Sequence, residues 1–503
     1  MYLGLDFGTG SVKAILQHDD DTIIATGSAS YPVSVPEEGA AETHPDFWIS
    51  ALNDALSQIR YRAGLKESEL LSVAAIGLSG QMHGIVPISE DGKVLYPAVL
   101  WADTRGSTFL PIIEKAIEGH EQVLLNAPNS GMTAITLLWL KKYHPRIYQE
   151  ARWFLFPKDY VRYKLTGRIS TDYSDASGSL LYNFKSRSWD VEICKILKID
   201  IQKLPPIQDS TAIAGLTTWE ATQFGLSEHI PVATGAGDTP AALFGSACFE
   251  TPMLDNNGQK SSHNVIQISV GTAVQVVRPM ITIPAFNPAL NYYESVISGQ
   301  GYHMAAMLNG GLALERVREW LNYNWDEFYC EFDENPYAIP SDLVFLPYLV
   351  GERTPYRNVN ARGAWIGLGL HHTRQDLMAA ALFGVACTVR LGLETLLETN
   401  KSITLADYEL RLIGGSSRRL SWVTLIASVI CQKLTVYEYA DLSVKGAAAL
   451  ARTMITGYIP RPCTGTIIQP KIITHFEKIY SQFKESYRRL YEKNYDSQVN
   501  VYG

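Results

Sequence analysis

Residues 4–13 read GLDFGTGSVK, and residues 268–277, in the second half of the chain, read ISVGTAVQVV. Each stretch has the pattern of a strand, a Gly-Thr turn and a second strand. Such a turn directs backbone N–H groups and a hydroxyl towards one point, which makes a small anion-binding nest. Two nests could hold a polyphosphate from both sides, and a chance likeness between two hairpins is the alternative. The repeat predicts two related halves.

Outside this repeat, strand-like and helix-like patterns alternate. Helical periodicity over residues 45–62 is followed by apolar runs at 73–78 and 98–101, which end in polar loops. In the second half, helical patterns cover residues 312–321 and 376–397 and begin again near 422 and 445, and the tail from 473 predicts a surface helix. Gly pairs at 310–311 and 414–415 precede two of these helices. This alternation is typical of the α/β class.

Composition limits the classes of function. The 503 residues allow two to four domains, and 46% hydrophobic with 19% charged residues indicates a globular protein. A net charge of −8 argues against nucleic acid as the main partner. Six scattered cysteines have no metal or redox spacing, which fits reduced thiols in the cytoplasm. No leader-like segment opens the sequence, and the apolar stretch 378–389 is too short to span a bilayer, so we expect no membrane partner.

The strongest candidate for chemistry lies in residues 230–242, IPVATGAGDTPAA. The apolar run predicts a buried strand that ends at Ala233, and Gly235 and Gly237 let the backbone turn sharply. Asp238 follows at the carboxyl end of this strand, where α/β sheets bind ligands, and Pro240 suits the first turn of a helix. A carboxylate there can accept a proton from a hydroxyl or hold a metal. The alternative is that Asp238 only caps the helix.

Short motifs then occur in a fixed order along nearly the whole chain. They are LDFGT at 5–9, GQMHG at 80–84, LWADTR at 100–105, VGT at 270–272, GERTP at 351–355, ARG at 361–363 and GG at 414–415. Together they resemble the FGGY family of carbohydrate kinases, and within it the xylulokinase branch. The sequence has no GxxxxGK[ST] loop, so nucleotide binding by a P-loop is not expected.

The resemblance implies an α/β protein of two ribonuclease-H-like (actin-like ATPase) domains around a central cleft. Residues 1–243 would bind the sugar and end with the catalytic Asp, and residues 244–503 would bind ATP and end in the surface helix. Closure of the cleft would exclude water. The implied reaction is ATP-dependent conversion of D-xylulose to D-xylulose 5-phosphate. Three alternatives stay open: a kinase for another ketose or a polyol, a sugar-binding regulator without turnover, and an actin-like ATPase that acts on a protein partner. A homodimer also stays open.

The resemblance also implies roles for individual residues. Asp238 would be the general base, with an ordinary pKa near 4. The predicted sugar contacts are Gln81, Met82, His83, Trp101, Asp103 and Asp238. The predicted ATP contacts are Thr9, Gly10, Ser11, Lys13, Gly271, Thr272, Gly310, Gly311, Gly414, Gly415 and Ser416. Asp6 and Asp238 would hold Mg²⁺, mainly through its waters. Arg105 would tie its loop to Asp103, and Glu352 and Arg353 would form an ion pair without a chemical role.

Several positions depart from the family pattern. Thr136 stands where Lys is usual, Thr239 where Asn is usual, Phe383 where an acidic residue is usual, and Ala273 where Ser is frequent. Ser416-Ser417-Arg418 replaces the commoner Gly-Ala-Arg. None of these changes removes a group that phosphoryl transfer needs, but together they leave the exact sugar open.

Overall fold

A computed structural model describes residues 1–66, 69–249, 253–254, 260–261, 265–398, 404–437, 441–461 and 465–492. The strands of the first half are β1 (Tyr2–Phe7), β2 (Ser11–Gln17), β3 (Ile23–Ser30), β4 (Glu42–Thr43), β5 (Ala75–Gly80), β6 (Val86–Ile88), β7 (Ala98–Val99), β8 (Trp153–Leu155), β9 (Thr171–Asp172), β10 (Tyr182–Asn183), β11 (Ser188–Trp189), β12 (Ile207–Gln208), β13 (Ile213–Leu216), β14 (Pro231–Ala233) and β15 (Ala236–Gly237). Its helices are α1 (Pro45–Arg62), α2 (Leu110–Ala116), α3 (Glu121–Leu124), α4 (Thr133–Tyr143), α5 (Pro145–Glu150), α6 (Pro157–Thr166), α7 (Tyr173–Ser177), α8 (Val191–Ile196) and α9 (Asp238–Gly245), with 3₁₀ turns at Arg105–Phe109, Ile201–Lys203 and Trp219–Phe224.

The strands of the second half are β16 (Met253–Leu254), β17 (Lys260–Ser261), β18 (Val265–Val270), β19 (Val274–Met280), β20 (Asn291–Glu294), β21 (Gly301–Met307), β22 (Val344–Leu346), β23 (Ala364–Ile366), β24 (Glu409–Ile413), β25 (Leu434–Val436) and β26 (Thr466–Ile468). Its helices are α10 (Gly311–Trp320), α11 (Trp325–Glu334), α12 (Arg374–Leu397), α13 (Leu420–Ile430), α14 (Leu442–Thr456) and α15 (Thr474–Tyr491), with 3₁₀ turns at Leu405–Asp407 and Gly415–Arg418.

Each half is built on a large mixed sheet, and the two sheets follow one plan. The first has the order β13-β14-β5-β1-β2-β3, and the second β20-β21-β19-β18-β24-β25-β26. In each, an antiparallel hairpin (β1–β2 or β18–β19) is joined on its first strand by a parallel strand, β5 or β24. The two Gly-Thr stretches form the two hairpins, which confirms the predicted repeat and the α/β, ribonuclease-H-like class.

Helix α14 belongs to the second half of the sequence but packs on the first sheet. A Cβ atom on Gly4 or Gly77 would collide with the backbone of α14, and one on Gly446 would collide with Ala241 of α9. The run of small residues in α14, at residues 446–449, allows this close approach. The helix therefore joins the two halves and brings its N-terminus to the edge of the first sheet.

Helix α12 is the central helix of the larger core. Its N-terminus has a capping box in which Thr373 and Asp376 satisfy each other's backbone N–H groups. The helix is long and apolar enough to cross a membrane. The expectation that the apolar stretch here is too short to span a bilayer was therefore wrong. However, 83% of its most apolar window is buried inside the protein, which is what a core helix shows as well.

Two other expectations meet the structure only in part. Helix α15 is amphipathic rather than a plain surface helix, because Phe476, Tyr480 and Phe483 are buried against the core. The predicted boundary between residues 243 and 244 falls inside α9, and the division at that point stays a prediction.

Candidate active site

Three parallel strands end in register at one edge of the first sheet. Asp6 of β1 lies opposite Ser79 of β5, which in turn lies opposite Ala236 of β15. One residue further along, each of the three strands ends, and the backbone leaves the sheet at the carboxyl ends of the strands in all three cases. The turn at residues 8–10, the GQMHG loop and Asp238 are therefore brought together by strand pairing. This edge is where a sheet of this kind binds ligands.

Asp238 is the first residue of α9, and Gly237 rather than Asp238 holds the N-cap position. Its Oδ1 accepts hydrogen bonds from the backbone N–H of Thr239 at 2.7 Å and from the Thr239 hydroxyl at 3.3 Å. Gly235 precedes it with φ of 89°, and a Cβ there would lie 2.6 Å from the carbonyl oxygen of Leu78. The turn before Asp238 thus requires glycine.

Asp238 lines a cavity of about 180 Å³ between α9, α14 and the second sheet. The lining residues are Asp238, Thr239, Ala242, Gln267, Ser269, Gln275, Val277, Ile413 and Ser443. Burial, followed by the negative charge of Asp6, raises the pKa of Asp238 to about 7. The expectation of an ordinary pKa near 4 was therefore wrong, because the carboxylate is partly shielded from water and lies near a like charge.

Asp6 is buried, and both of its oxygens accept hydrogen bonds from serine hydroxyls. The hydroxyl of Ser79 donates to Oδ1 at 2.7 Å, and that of Ser443, at the start of α14, donates to Oδ2 at 2.8 Å. Burial raises the pKa of Asp6 in spite of these bonds. Lys13, which lies opposite Asp6 in the hairpin, forms an ion pair with Asp441. The ammonium group expected to meet phosphate is thus already paired across the two halves.

The GQMHG loop carries three of the predicted sugar contacts, and one of them, Met82, lies beside the turn that leads to Asp238. The thioether of Met82 packs on Gly237, where a Cβ would lie 2.6 Å from Met82 Cγ. His83 has φ of 69°, and its Nδ1 lies 3.0 Å from the carbonyl oxygen of Gly178, so Nδ1 carries the proton and Nε2 is an acceptor. Burial and the charge of Arg353 lower the pKa of His83 to about 4. Gln81 is buried, and its Oε1 has no hydrogen-bond partner among the described residues.

The LWADTR loop divides into a part that faces the site and a part that holds the loop. Trp101 donates from Nε1 to the hydroxyl of Thr9 at 2.9 Å, which joins the sugar loops to the first phosphate turn. The carboxylate of Asp103 is buried and accepts from the Arg105 guanidinium at 3.0 Å and from the N–H of Ala41 at 2.9 Å. The predicted tie between Arg105 and Asp103 is present. The geometry favours an anchoring role for Asp103 over sugar contact.

A buried cluster of charges lies behind the site, and it was not predicted from the sequence. The Lys158 ammonium lies 2.7–2.8 Å from carboxylate oxygens of Asp159, Asp172 and Asp175, and Arg162 pairs with Asp159 at 2.7 Å. Asp172 is joined to the site through Ser174, whose hydroxyl oxygen accepts the N–H of Gly237 at 3.0 Å. The signal that could have revealed it is the set of charged residues at 158–162 in one short helix, followed by Asp172 and Asp175.

The predicted ATP contacts fall into two groups. Gly271 and Thr272 are exposed at the hairpin tip, as is Gly10 in the first half, so these turns are open to a ligand. Gly310 and Gly311 pack against the second turn instead, and the N–H of Gly311 donates to the carbonyl oxygen of Gly271 at 2.7 Å. A side chain on either glycine would collide with the backbone of this turn. The packing therefore requires glycine at both positions, independently of the predicted contact with ATP.

The second glycine pair lies at the end of β24, next to β18. Gly414 has φ of 100°, which favours glycine, and a 3₁₀ turn begins at Gly415 and includes Ser416. The strands β18 and β24 are parallel, so Gly414 reaches the same sheet edge as Gly271. The role of Gly414, Gly415 and Ser416 in nucleotide binding stays a prediction.

The departures from the family pattern lie in different surroundings. Phe383 is buried and packs edge-on against Phe476 with ring centroids 4.8 Å apart, so its role is in the core. Thr136 is buried in α4, and Ala273 lies at the turn that Gly310 contacts. Thr239 is the one whose side chain contacts a predicted catalytic group.

Comparison with known proteins agrees with this arrangement. Residues 1–245 match the N-terminal domain of the FGGY family of carbohydrate kinases, and residues 281–454 match its C-terminal domain. The chain belongs to the FGGY family. It is thus a carbohydrate kinase of the xylulokinase-like kind, with a sugar and ATP as substrates.

Full-length relatives support the same family. The chain is 28% identical over 506 residues to a xylulose kinase of Lactococcus lactis subsp. lactis, covering 97% of each protein. It is 27% identical to a xylulose kinase of Escherichia coli K12, covering 90% of each. The crystal structure of a xyloylose kinase from Brucella ovis superimposes with a TM-score of 0.86 at 28% identity, covering 97% of this FGGY chain and 99% of that one.

Proposed function

We propose that this FGGY kinase transfers the terminal phosphoryl group of ATP to the 5-hydroxyl of D-xylulose, with Asp238 as the general base. The observation that carries the proposal is the place of Asp238 at a cavity between the two halves, with a pKa raised to about 7. A base with a pKa near the working pH is well matched to accepting a hydroxyl proton. Thr239 holds Oδ1, which leaves Oδ2 for the sugar.

The substrate assignment is supported by the GQMHG and LWADTR loops and by relatives named xylulose kinases at 27–28% identity. The fold alone does not choose a sugar. A gluconate kinase from Lactobacillus acidophilus and a glycerol kinase from Plasmodium falciparum share it, with TM-scores of 0.85 and 0.82 at 21% and 19% identity. A kinase for another ketose or for a polyol is therefore the second candidate. A cytoplasmic location and a homodimer stay predictions.

The remaining proposed contacts follow from the same edge of each sheet. Thr9, Gly10, Ser11, Gly271 and Thr272 would meet the phosphates with hydroxyl and N–H groups, as anion nests do. Lys13 could join them only if its pair with Asp441 opens. Gln81, Met82, His83 and Trp101 would line the sugar.

The carboxylates of Asp6 and Asp238 fit a magnesium site. They are close enough for the charge of Asp6 to raise the pKa of Asp238, and a divalent cation relieves such repulsion. Each oxygen of Asp6 accepts one serine hydroxyl and retains capacity for a metal-bound water. We propose that these two residues hold Mg²⁺ through water. Once bound, the ion would neutralise phosphate charge.

The test is ADP release over a panel of pentuloses, hexuloses and polyols, with the wild type and Asp238→Asn. We expect D-xylulose to be the best substrate and Asp238→Asn to lower its kcat by about 10²–10⁴, as loss of a general base does. Asp200→Asn is the matched control, since Asp200 only caps a 3₁₀ turn. A polyol preferred over every ketose would contradict the substrate, and near-normal turnover of Asp238→Asn would contradict the base.

A further inference from the structure

The GERTP loop of the second half, residues 351–355, is anchored by hydrogen bonds of its own polar side chains. One polar side chain of the loop takes no part in this anchoring. Glu352 Oε1 accepts the N–H groups of Leu308 and Arg353 at 2.7 and 2.8 Å, and Asn309 donates to Glu352 Oε2 at 3.2 Å. The hydroxyl of Thr354 donates to the carbonyl oxygen of Ala289 at 2.8 Å. The expected ion pair between Glu352 and Arg353 is therefore wrong, because the carboxylate is occupied by backbone and amide donors.

Arg353 is the exception. Across the described residues, its guanidinium has no hydrogen-bond or ion-pair partner. It extends from the second half to the sugar loops of the first, with its Cζ 6.0 Å from the centroid of the Trp101 ring. Burial lowers the pKa of Arg353. The side chain is only partly exposed, so its five N–H donors, which no protein acceptor occupies among the described residues, are available to the oxygens of a ligand.

The groups nearest to Arg353 in the sugar loops differ from those nearest to Asp238. The positive charge of Arg353 acts on His83, whereas the charge that acts on Asp238 is that of Asp6. Met82, the residue before His83, packs on Gly237, the residue before Asp238. Tyr293 of the second half closes the same region, with its ring 6.0 Å from that of His83. A sugar whose reacting hydroxyl meets Asp238 would thus extend its other end towards Arg353.

The chemistry of a ketopentose fits this end of the site. Such a sugar forms a five-membered ring only through its 5-hydroxyl, so when that hydroxyl is the phosphoryl acceptor the sugar must be open. Carbon 2 is then a free ketone, whose oxygen accepts hydrogen bonds but cannot donate them. Arginine donates and cannot accept, so it complements the ketone oxygen. A polyol has a hydroxyl at this place and gains less from a donor-only partner.

Building on the proposed function, we propose that Arg353 is a specificity-determining residue that donates hydrogen bonds to the carbonyl end of an open-chain ketose. The second half would in this way contribute to sugar recognition as well as to nucleotide binding. Because the loop around Arg353 is anchored by Glu352 and Thr354, the guanidinium is held ready before the sugar arrives.

The experiment compares Arg353→Met and Arg353→Lys with the matched control Arg357→Met, which changes another arginine in the segment after this loop. Arg357 donates to the carbonyl oxygen of Pro128 at 3.0 Å and lies 3.6 Å from Glu114, so it also crosses between the halves. KM and kcat are measured for D-xylulose, for xylitol and for ATP. Thermal unfolding is recorded for each variant.

We expect Arg353→Met to raise the KM for D-xylulose about 10- to 100-fold, the usual effect of losing a charged donor, with the KM for ATP within about twofold. The preference for D-xylulose over xylitol should fall by a similar factor, and Arg353→Lys should retain part of it. Arg357→Met should leave both unchanged. Unfolding should be nearly unaltered in Arg353→Met, because no hydrogen bond or ion pair of the described residues is lost.

An unchanged KM for D-xylulose in Arg353→Met would overturn this inference while leaving the proposed function intact. Equal losses for D-xylulose and xylitol would overturn the role of the carbonyl group. A wild-type enzyme that phosphorylates xylitol but no ketose would instead contradict the proposed substrate, and the assignment of Arg353 with it.

Discussion

Asp6, near the end of β1, and Asp238, directly after β15, lie on the two sides of β5, and their carboxylates repel each other. Burial first, and then the charge of Asp6, raise the pKa of Asp238 to about 7. The folded protein therefore holds a proton on Asp238 more tightly than the unfolded chain does. The stability associated with this proton is fully present below about pH 4 and is lost as the pH rises through about 7.

The first prediction is that Asp238→Asn stabilises the protein at pH 8 but hardly at pH 4. The amide cannot ionise, so the cost of a buried charge disappears. One pKa unit corresponds to about 1.4 kcal/mol, which sets an upper limit of about 4 kcal/mol, reduced by partial solvent exposure. Urea unfolding in buffer free of divalent ions measures the difference. A gain that is the same at both pH values would contradict the assigned pKa.

The second prediction concerns the coupling of the two carboxylates. Asp6→Asn should also stabilise the metal-free protein at pH 8, because it removes one of two repelling charges. Each single change relieves the same repulsion, so the double variant should gain less than the sum, by about 0.5–3 kcal/mol. The exposed Asp46, changed to Asn, is the control and should be additive with Asp238→Asn. Strict additivity for Asp6 would show that the carboxylates do not interact.

The third prediction is that His83→Ala raises the sugar KM three- to tenfold or somewhat more, the effect of one lost hydrogen bond. Burial and the charge of Arg353 lower the pKa of His83 to about 4, so His83 is neutral at working pH. The effect should therefore be constant between pH 6 and 8. Steady-state kinetics at three pH values measures it, with the exposed His18→Ala as control. An effect that grows as the pH falls would contradict a neutral imidazole.

The fourth prediction concerns the buried charge cluster. Lys158→Met should lower the free energy of unfolding by about 3–5 kcal/mol, because three buried carboxylates lose the ammonium between them. Lys164→Met, on the same helix but only partly buried, should change it by less than about 1 kcal/mol. Denaturant unfolding compares the two. A small effect at Lys158 would mean that these carboxylates are already protonated.

The local sequence pattern was sufficient to predict those helices and strands in which the spacing of apolar residues matches the face that is buried. Helix α1 has the predicted bounds, and the two Gly-Thr stretches are hairpins at corresponding places of two sheets. The candidate base was also predicted, because a strand, two glycines and a carboxylate follow one another within a few residues. Bounds were less accurate for β7, which is only Ala98–Val99, since its pairing depends on a distant strand.

By itself, the sequence determined the class of fold, the repeat and the family, because these depend on periodicity, turn residues and motif order along the chain. Only the tertiary structure decided the pKa of Asp238, the serine partners of Asp6 and the buried cluster around Lys158. It also decided that the guanidinium of Arg353 has no hydrogen-bond or ion-pair partner among the described residues. Each of these is a property of groups brought together from distant parts of the chain. Desolvation depends on the exclusion of water, and Coulomb energy depends on distance in space. Neither the exclusion of water nor the distance can be inferred from the spacing of residues in the sequence.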